Sequence, residues 1–214
     1  MMGRTLFAGL MMLLCATPFS VVAQNNAAVQ QQETPAKAQD AASEQVEALH
    51  AALLEGLELA DFEARFTHLQ PVVARVFDIP GIARVSVGRR TWRKMDDGLK
   101  AQYIDTLQQL VAATYASRFT QNNGQGFVQD QVQDSRQGVV VSARVTRPTD
   151  EDVKLDYYVR DKGIYNVVAN GVSDLSLRRA EYSSIVQREG VPALLEHMQA
   201  RIADARKPSQ GAGS

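Results

Sequence analysis

Few side chains in this sequence have the type and spacing that bond chemistry needs. Its three histidines, His50, His68 and His197, fall in separate predicted helices, and none has a metal-like partner at helical i, i+4 spacing. Solvated or capping roles are expected for them. Asp96-Asp97 and Asp150-Glu151-Asp152 are carboxylate clusters. They lie at a predicted helix start and in a predicted hairpin turn, where capping and solubility account for them. Cys15 is the only cysteine, so the chain has no internal disulfide and no cysteine cluster. No Gly-x-Ser-x-Gly elbow, phosphate loop or dinucleotide fingerprint occurs. A nucleophile, a base and an orienting group cannot be assembled from these residues, so the reading is not an enzyme, with no metal or other cofactor. The one basic run is Arg89-Arg90 with Trp92-Arg93-Lys94. It is a solvated helix end, a docking patch for an acidic partner, or a phosphate contact at a cavity mouth. Arg178-Arg179 poses the same choice. The whole chain is nearly neutral, 23 basic against 24 acidic residues, which gives no bulk field for nucleic acid or an anionic membrane.

What remains is an apolar framework. Residues 65–92 organise it. Phe62, Phe66, Leu69, Val73 and Val76 recur at three- and four-residue steps, which predicts an amphipathic helix kinked at Pro71. Asp78 is placed to cap a second helix, with Pro80 in its first turn and Gly88 at its end. A helix from Ser43 to about residue 60 precedes them, and the longest helix runs from Asp96 or Asp97 to about Phe119. Past Gly126 the apolar period changes from 3.6 to 2, and four strands are predicted at 127–132, 138–146, 153–160 and 164–169. The turns between them are short, which makes an antiparallel meander. Val139, Val141, Ala143 and Val145 share one face with Val153, Leu155, Tyr157 and Val159. Two helices, at about 175–189 and after Gly190, close the chain. Helices, meander, then helices indicate an α+β fold, with the flanking helices covering one face of a four-stranded sheet. The inward set that joins the long helix to that face is Leu107, Val111, Tyr115, Val141, Ala143, Leu155, Tyr157 and Val167.

Three blocks of this sequence resemble the MlaC, or toluene-tolerance, family. The first contains Arg65-Phe66, Pro71-Val72, Phe77-Asp78-Ile79-Pro80, Ala83-Arg84 and Gly88. The second is Thr114-Tyr115-Ala116, and the third runs from Tyr165-Asn166-Val167-Val168 through Ala169-Asn170-Gly171-Val172-Ser173. The resemblance implies a periplasmic lipid carrier with an apolar cavity between helices and sheet, lined by the inward set. Phospholipid is the implied ligand, exchanged between an inner-membrane ABC transporter complex and an outer-membrane lipoprotein complex by a monomer. Sequestering acyl chains needs apolar area alone, at ~0.8 kcal/mol per buried methylene. The sequence departs from the family at Asn166, where an acidic residue is usual, and at Leu177-Arg178 before Arg179. The run from Ser173-Asp174-Leu175 to Arg179-Ala180-Glu181-Tyr182 resembles a hopanoid-associated branch, which makes a hopanoid or another polycyclic lipid the alternative ligand. An enzyme using a buried Tyr or Asp, or an adaptor bridging envelope proteins, are the opposing classes.

The amino terminus fits export. Arg4 and the apolar run to Ala16 read as a secretory signal, 1–23, ending on Val21-Val22-Ala23. Residues 24–42 are rich in Gln, Ala and Asn without apolar periodicity, and read as a flexible leader. The lipid-binding domain is then 43–205, and 206–214 is a disordered tail.

Overall fold

A computed structural model describes residues 22–207. The signal expected over 1–23 and the tail expected over 206–214 therefore fall almost wholly outside the described residues. The chain divides into two compact units at Thr34/Pro35. Helix α1 spans Val22–Leu57, with Pro35 inside it. The backbone from 24 to 42, read above as a leader, is thus helical, and Ser43 does not begin the helix. The physical reason is that Ala and Gln favour a helix without needing a buried face. Apolar periodicity reports burial rather than helicity.

From Pro35 onward, the elements are helices α2 (Phe62–Val76), α3 (Ile79–Lys94) and α4 (Asp97–Arg118), then strands β1 (Gly126–Ser135), β2 (Gly138–Thr146), β3 (Val153–Arg160), β4 (Gly163–Ala169) and β5 (Val172–Ser173), then α5 (Asp174–Ala205). Three helix starts follow from single carboxylates. Asp61 accepts from the Ala64 amide, Asp78 from Gly81 and Asp96 from Leu99. Such caps contribute about 1 kcal/mol each. Pro71 lies inside α2, and the helix continues through it to Val76. Gly88 and Gly190 do break helices, at φ 80° and φ 87°, where the absence of Cβ makes the left-handed region accessible.

The sheet is a meander in the order β1-β2-β3-β4-β5, antiparallel throughout. It has five strands where four were predicted. The fifth pairs only Val172 and Ser173 with β4, too short to carry a periodic signal. Val139, Val141, Ala143, Tyr157, Val159 and Ile164 are buried on the inner face. Val46, Leu49 and Leu53 of α1, Leu107 and Val111 of α4, and Leu194 and Met198 of α5 join them in one cluster. On the outer face Arg144 bridges Asp130 and Asp152, at 3.0 Å each. Further along that face Arg160 lies 3.7 Å above the Tyr165 ring, and Tyr158 meets Tyr165 edge-on. Val140 is buried on this side too, an exception to a fully polar outer face.

Two buried polar groups fasten the helices. Arg65 donates from Nε to the Ala116 carbonyl at 2.8 Å and from Nη1 to Leu59 at 3.2 Å, tying the last turn of α4 to the loop after α1. At the α2–α3 junction the Asp78 amide donates to the Ile164 carbonyl, and Phe77 bridges Ile164 in parallel. Gly163, at φ 123°, makes that approach possible, since a Cβ there would sit 2.6 Å from the Val76 carbonyl oxygen.

Candidate functional site

The eight inward residues occupy two facing surfaces. Leu107, Val111 and Tyr115 repeat at i, i+4 and i+8 along α4, which places them on one stripe. Across the sheet, the register aligns Val141, Tyr157 and Val167 on β2, β3 and β4, with Ala143 beside Leu155 in the next inner row. Leu107, Val111, Val141, Ala143 and Tyr157 are buried, whereas Tyr115, Leu155 and Val167 are half-buried against the same cluster. Strand alternation and helix periodicity thus bring one apolar set together from four elements.

A run of rings crosses one end of this set. Phe77 neighbours Tyr115 at 6.1 Å between centroids, Tyr115 neighbours Phe119 at 6.3 Å, and Phe119 stacks near Phe127 at 5.9 Å. Phe127 in turn stacks on His50 at 4.0 Å, and His50 Nε2 lies 2.9 Å from the Tyr157 hydroxyl. Here the sequence expectation for His50 is corrected: the ring is buried, neither solvated nor capping. Its position on α1, four residues after Val46 and three before Leu53, both buried, was the available signal. Burial lowers the His50 pKa to about 4 and pushes the Tyr157 hydroxyl well up. Both groups are neutral near pH 7, and the contact is a hydrogen bond between uncharged partners.

The Tyr115 hydroxyl is also pushed up, by burial first and by Asp174 second. Arg178 pairs with Asp174 at 2.8 Å and donates to the Tyr182 hydroxyl at 3.1 Å. Burial works against the Arg178 charge, but Tyr182 and Asp174 outweigh it and hold its pKa above the ordinary value. Tyr182 meets Tyr103 edge-on, and Tyr103 shares a 2.7 Å hydrogen bond with Ser86. These groups satisfy one another between α3, α4 and α5. Arg178 is thus engaged within the fold, while Arg179 stays exposed. Asn166 accepts from Ser173 Oγ at 3.0 Å and from the Leu175 amide at 3.1 Å. That task at the start of α5 needs an acceptor and no charge, so an amide serves where an acidic residue is usual.

His68 contacts the Ala52 carbonyl at 3.2 Å, and His197 contacts Glu181 at 2.9 Å. Among the described residues, no three His, Cys, Asp or Glu side chains gather around a point where a metal would sit. One surface cleft of about 340 Å³ lies at the Gly190 elbow between Glu181, Arg188 and His197. Another, of about 390 Å³, lies between Phe62, Ser117 and Arg206. Neither is lined by any of the eight inward residues. Arg206 itself pairs with Glu63 at 3.0 Å, so ordered contacts continue past residue 205.

Residues 43–200 match the sequence family described as MlaC protein, a span from the middle of α1 into the last helical segment. The chain belongs to the MlaC family. No curated sequence relative matches it. Among solved structures, this MlaC-family chain is similar to a phospholipid-binding protein from Ralstonia solanacearum, determined in complex with a phospholipid. The two share 21% identity and a TM-score of 0.64, covering 78% of this chain and 99% of the other. At that identity the likeness establishes the α+β fold.

Proposed function

We propose that this MlaC-family chain is an exported periplasmic carrier that holds the acyl chains of a phospholipid against Leu107, Val111, Tyr115, Val141, Ala143, Leu155, Tyr157 and Val167. It would act as a monomer, taking lipid from one envelope complex and giving it to the other, between an inner-membrane ABC transporter and an outer-membrane lipoprotein assembly. The observation that carries this reading is the family match over 43–200, which takes in every strand and the whole of α4. The phospholipid in the Ralstonia structure supports the choice of ligand. The chemistry on the inner face supports binding over catalysis. Its titratable groups, His50, Tyr115 and Tyr157, are held neutral, and neutral apolar walls suit acyl chains.

Native mass spectrometry of the protein purified from the cell envelope tests the proposal. A bound mass that dissociates as a phospholipid is the expected result. A polycyclic ligand without phosphorus would move the reading to the hopanoid alternative. Protein that never carries lipid, and does not take up phospholipid from vesicles, would overturn the carrier.

A further inference from the structure

The last helical turns of α3 carry a concentration of charge that the near-neutral total conceals. Arg89, Arg90, Arg93 and Lys94 follow the Gly88 break at i, i+1, i+4 and i+5, which puts them on one side of the helix. All four are exposed, as is Arg84 one turn earlier. Trp92 and Met95 face the other way, into the core. There is no acidic residue anywhere in α3. The nearest acids in sequence are engaged elsewhere: Asp96 caps the Leu99 amide at 2.8 Å, and Asp97 pairs with Lys100 at 3.0 Å. None of the five cations makes an ion pair among the described residues, although eleven ion pairs form in the rest of the fold. Completing the helix dipole accounts for one or two cations in a last turn, not for four on one side.

The position of this face sets it apart from the Tyr115 end of the inner set. Phe77 neighbours Tyr115 and Ser86 bonds Tyr103, so α3 runs antiparallel to α4. The cations therefore lie near the start of α4, and Tyr115 is eighteen residues on, about 27 Å away along the axis.

We propose that this α3 face docks the protein on an anionic phospholipid surface. Three of the four cations are arginines, whose planar forks match phosphate oxygens two at a time. The face has no exposed large apolar anchor, since those of the described chain are Val128, Val172 and Leu177. A dense phosphate layer is recognised by charge alone, whereas a folded acidic partner is ordinarily held by a desolvated anchor as well. Such contact is reversible and weakened by salt, which allows the protein to leave again.

The test is flotation of the purified protein with vesicles of phosphatidylcholine, with and without phosphatidylglycerol, across a salt series. Binding is expected only with phosphatidylglycerol, and it declines as salt rises. The variant R89Q/R90Q/R93Q/K94Q should lose roughly a hundredfold to a thousandfold in vesicle affinity, at about a factor of five per cation. R136Q/K154Q/K162Q/R179Q removes as many exposed charges from β3, two hairpin turns and α5, and should bind like the parent. R89Q/R90Q, a smaller change, should fall between and guards against misfolding of the fourfold variant; thermal melting checks all three. Equal losses in the two fourfold variants would reduce the effect to net charge and overturn the proposal. So would a parent that ignores phosphatidylglycerol. If the α3 variant keeps vesicle binding but loses retention on immobilised polyglutamate, the face belongs to an acidic protein and the membrane proposal fails. Each readout is independent of lipid uptake by the inner set, so the result does not depend on the carrier reading.

Discussion

Ala143 is where a packed core and a lipid-lined one respond differently to the same change. It is 3% exposed, on the inner face of β2 beside Leu155. Under the carrier reading, Ala143→Phe fills space that an acyl chain uses, so retained lipid falls while delipidated protein keeps its Tm. Arg144→Ala, on the outer face, should change neither. Loss of about 1–3 kcal/mol in the delipidated form, with lipid retention unchanged, would instead put Ala143 in a filled core. Delipidation must come first, because bound ligand raises apparent stability. His50 gives a pH prediction. Its folded pKa is about 4, below the unfolded value of 6.5, so the folded state binds fewer protons between these limits. Stability from this group is fully present above about pH 6.5 and is lost as pH falls towards 4, by at most about 3 kcal/mol. Urea titrations from pH 7 to 4 should show that slope in the parent and a flatter one in His50→Gln. Equal slopes would mean that other groups govern acid sensitivity.

Among the elements, the junction of α2, α3 and β4 leaves little room for change. Gly163→Ala sets a Cβ against the Val76 carbonyl and forces a left-handed backbone on a residue that resists it. The expected cost is about 2 kcal/mol or more, read as a lower urea midpoint. Gly56 is the contrast. It lies inside α1, and a Cβ added there would meet nothing within 4 Å. Gly56→Ala should raise stability by about 0.5–1 kcal/mol, since Ala loses less backbone entropy in a helix. A neutral Gly163→Ala would show that the bridge between Phe77 and Ile164 yields, and that this turn is not what holds α3 to the sheet.

For the whole molecule, export is the open prediction. Arg4, the apolar run and Val21-Val22-Ala23 place cleavage near Gln24. Protein taken from the envelope should therefore have the intact mass of a chain starting there, with no acyl group on Cys15. A mass that retains residues 1–23 would place the protein outside the expected route.

The sequence by itself determined the layout. Alternation in 138–146 and 153–160 defines β2 and β3 to the residue, because a half-buried strand must alternate. Asp61, Asp78 and Asp96 mark helix starts because each exposes unpaired amides that a short carboxylate satisfies. The resemblance to the MlaC family was legible in three blocks taken in order, at Arg65–Gly88, Thr114-Tyr115-Ala116 and Tyr165–Ser173. In the fold the first block meets the strand that carries the third, where the Asp78 amide donates to the Ile164 carbonyl. Other features were decided by tertiary contacts alone. The burial of His50 depends on Phe127 and Tyr157, 77 and 107 residues away. Arg65 reads as one more charge until α4 supplies its carbonyl. The separation of the α3 cations from Tyr115 follows from the antiparallel course of two helices. Local pattern reports which face a residue shares with its neighbours in sequence. Which distant element arrives to cover that face, or leaves it open, is set by packing of the whole chain.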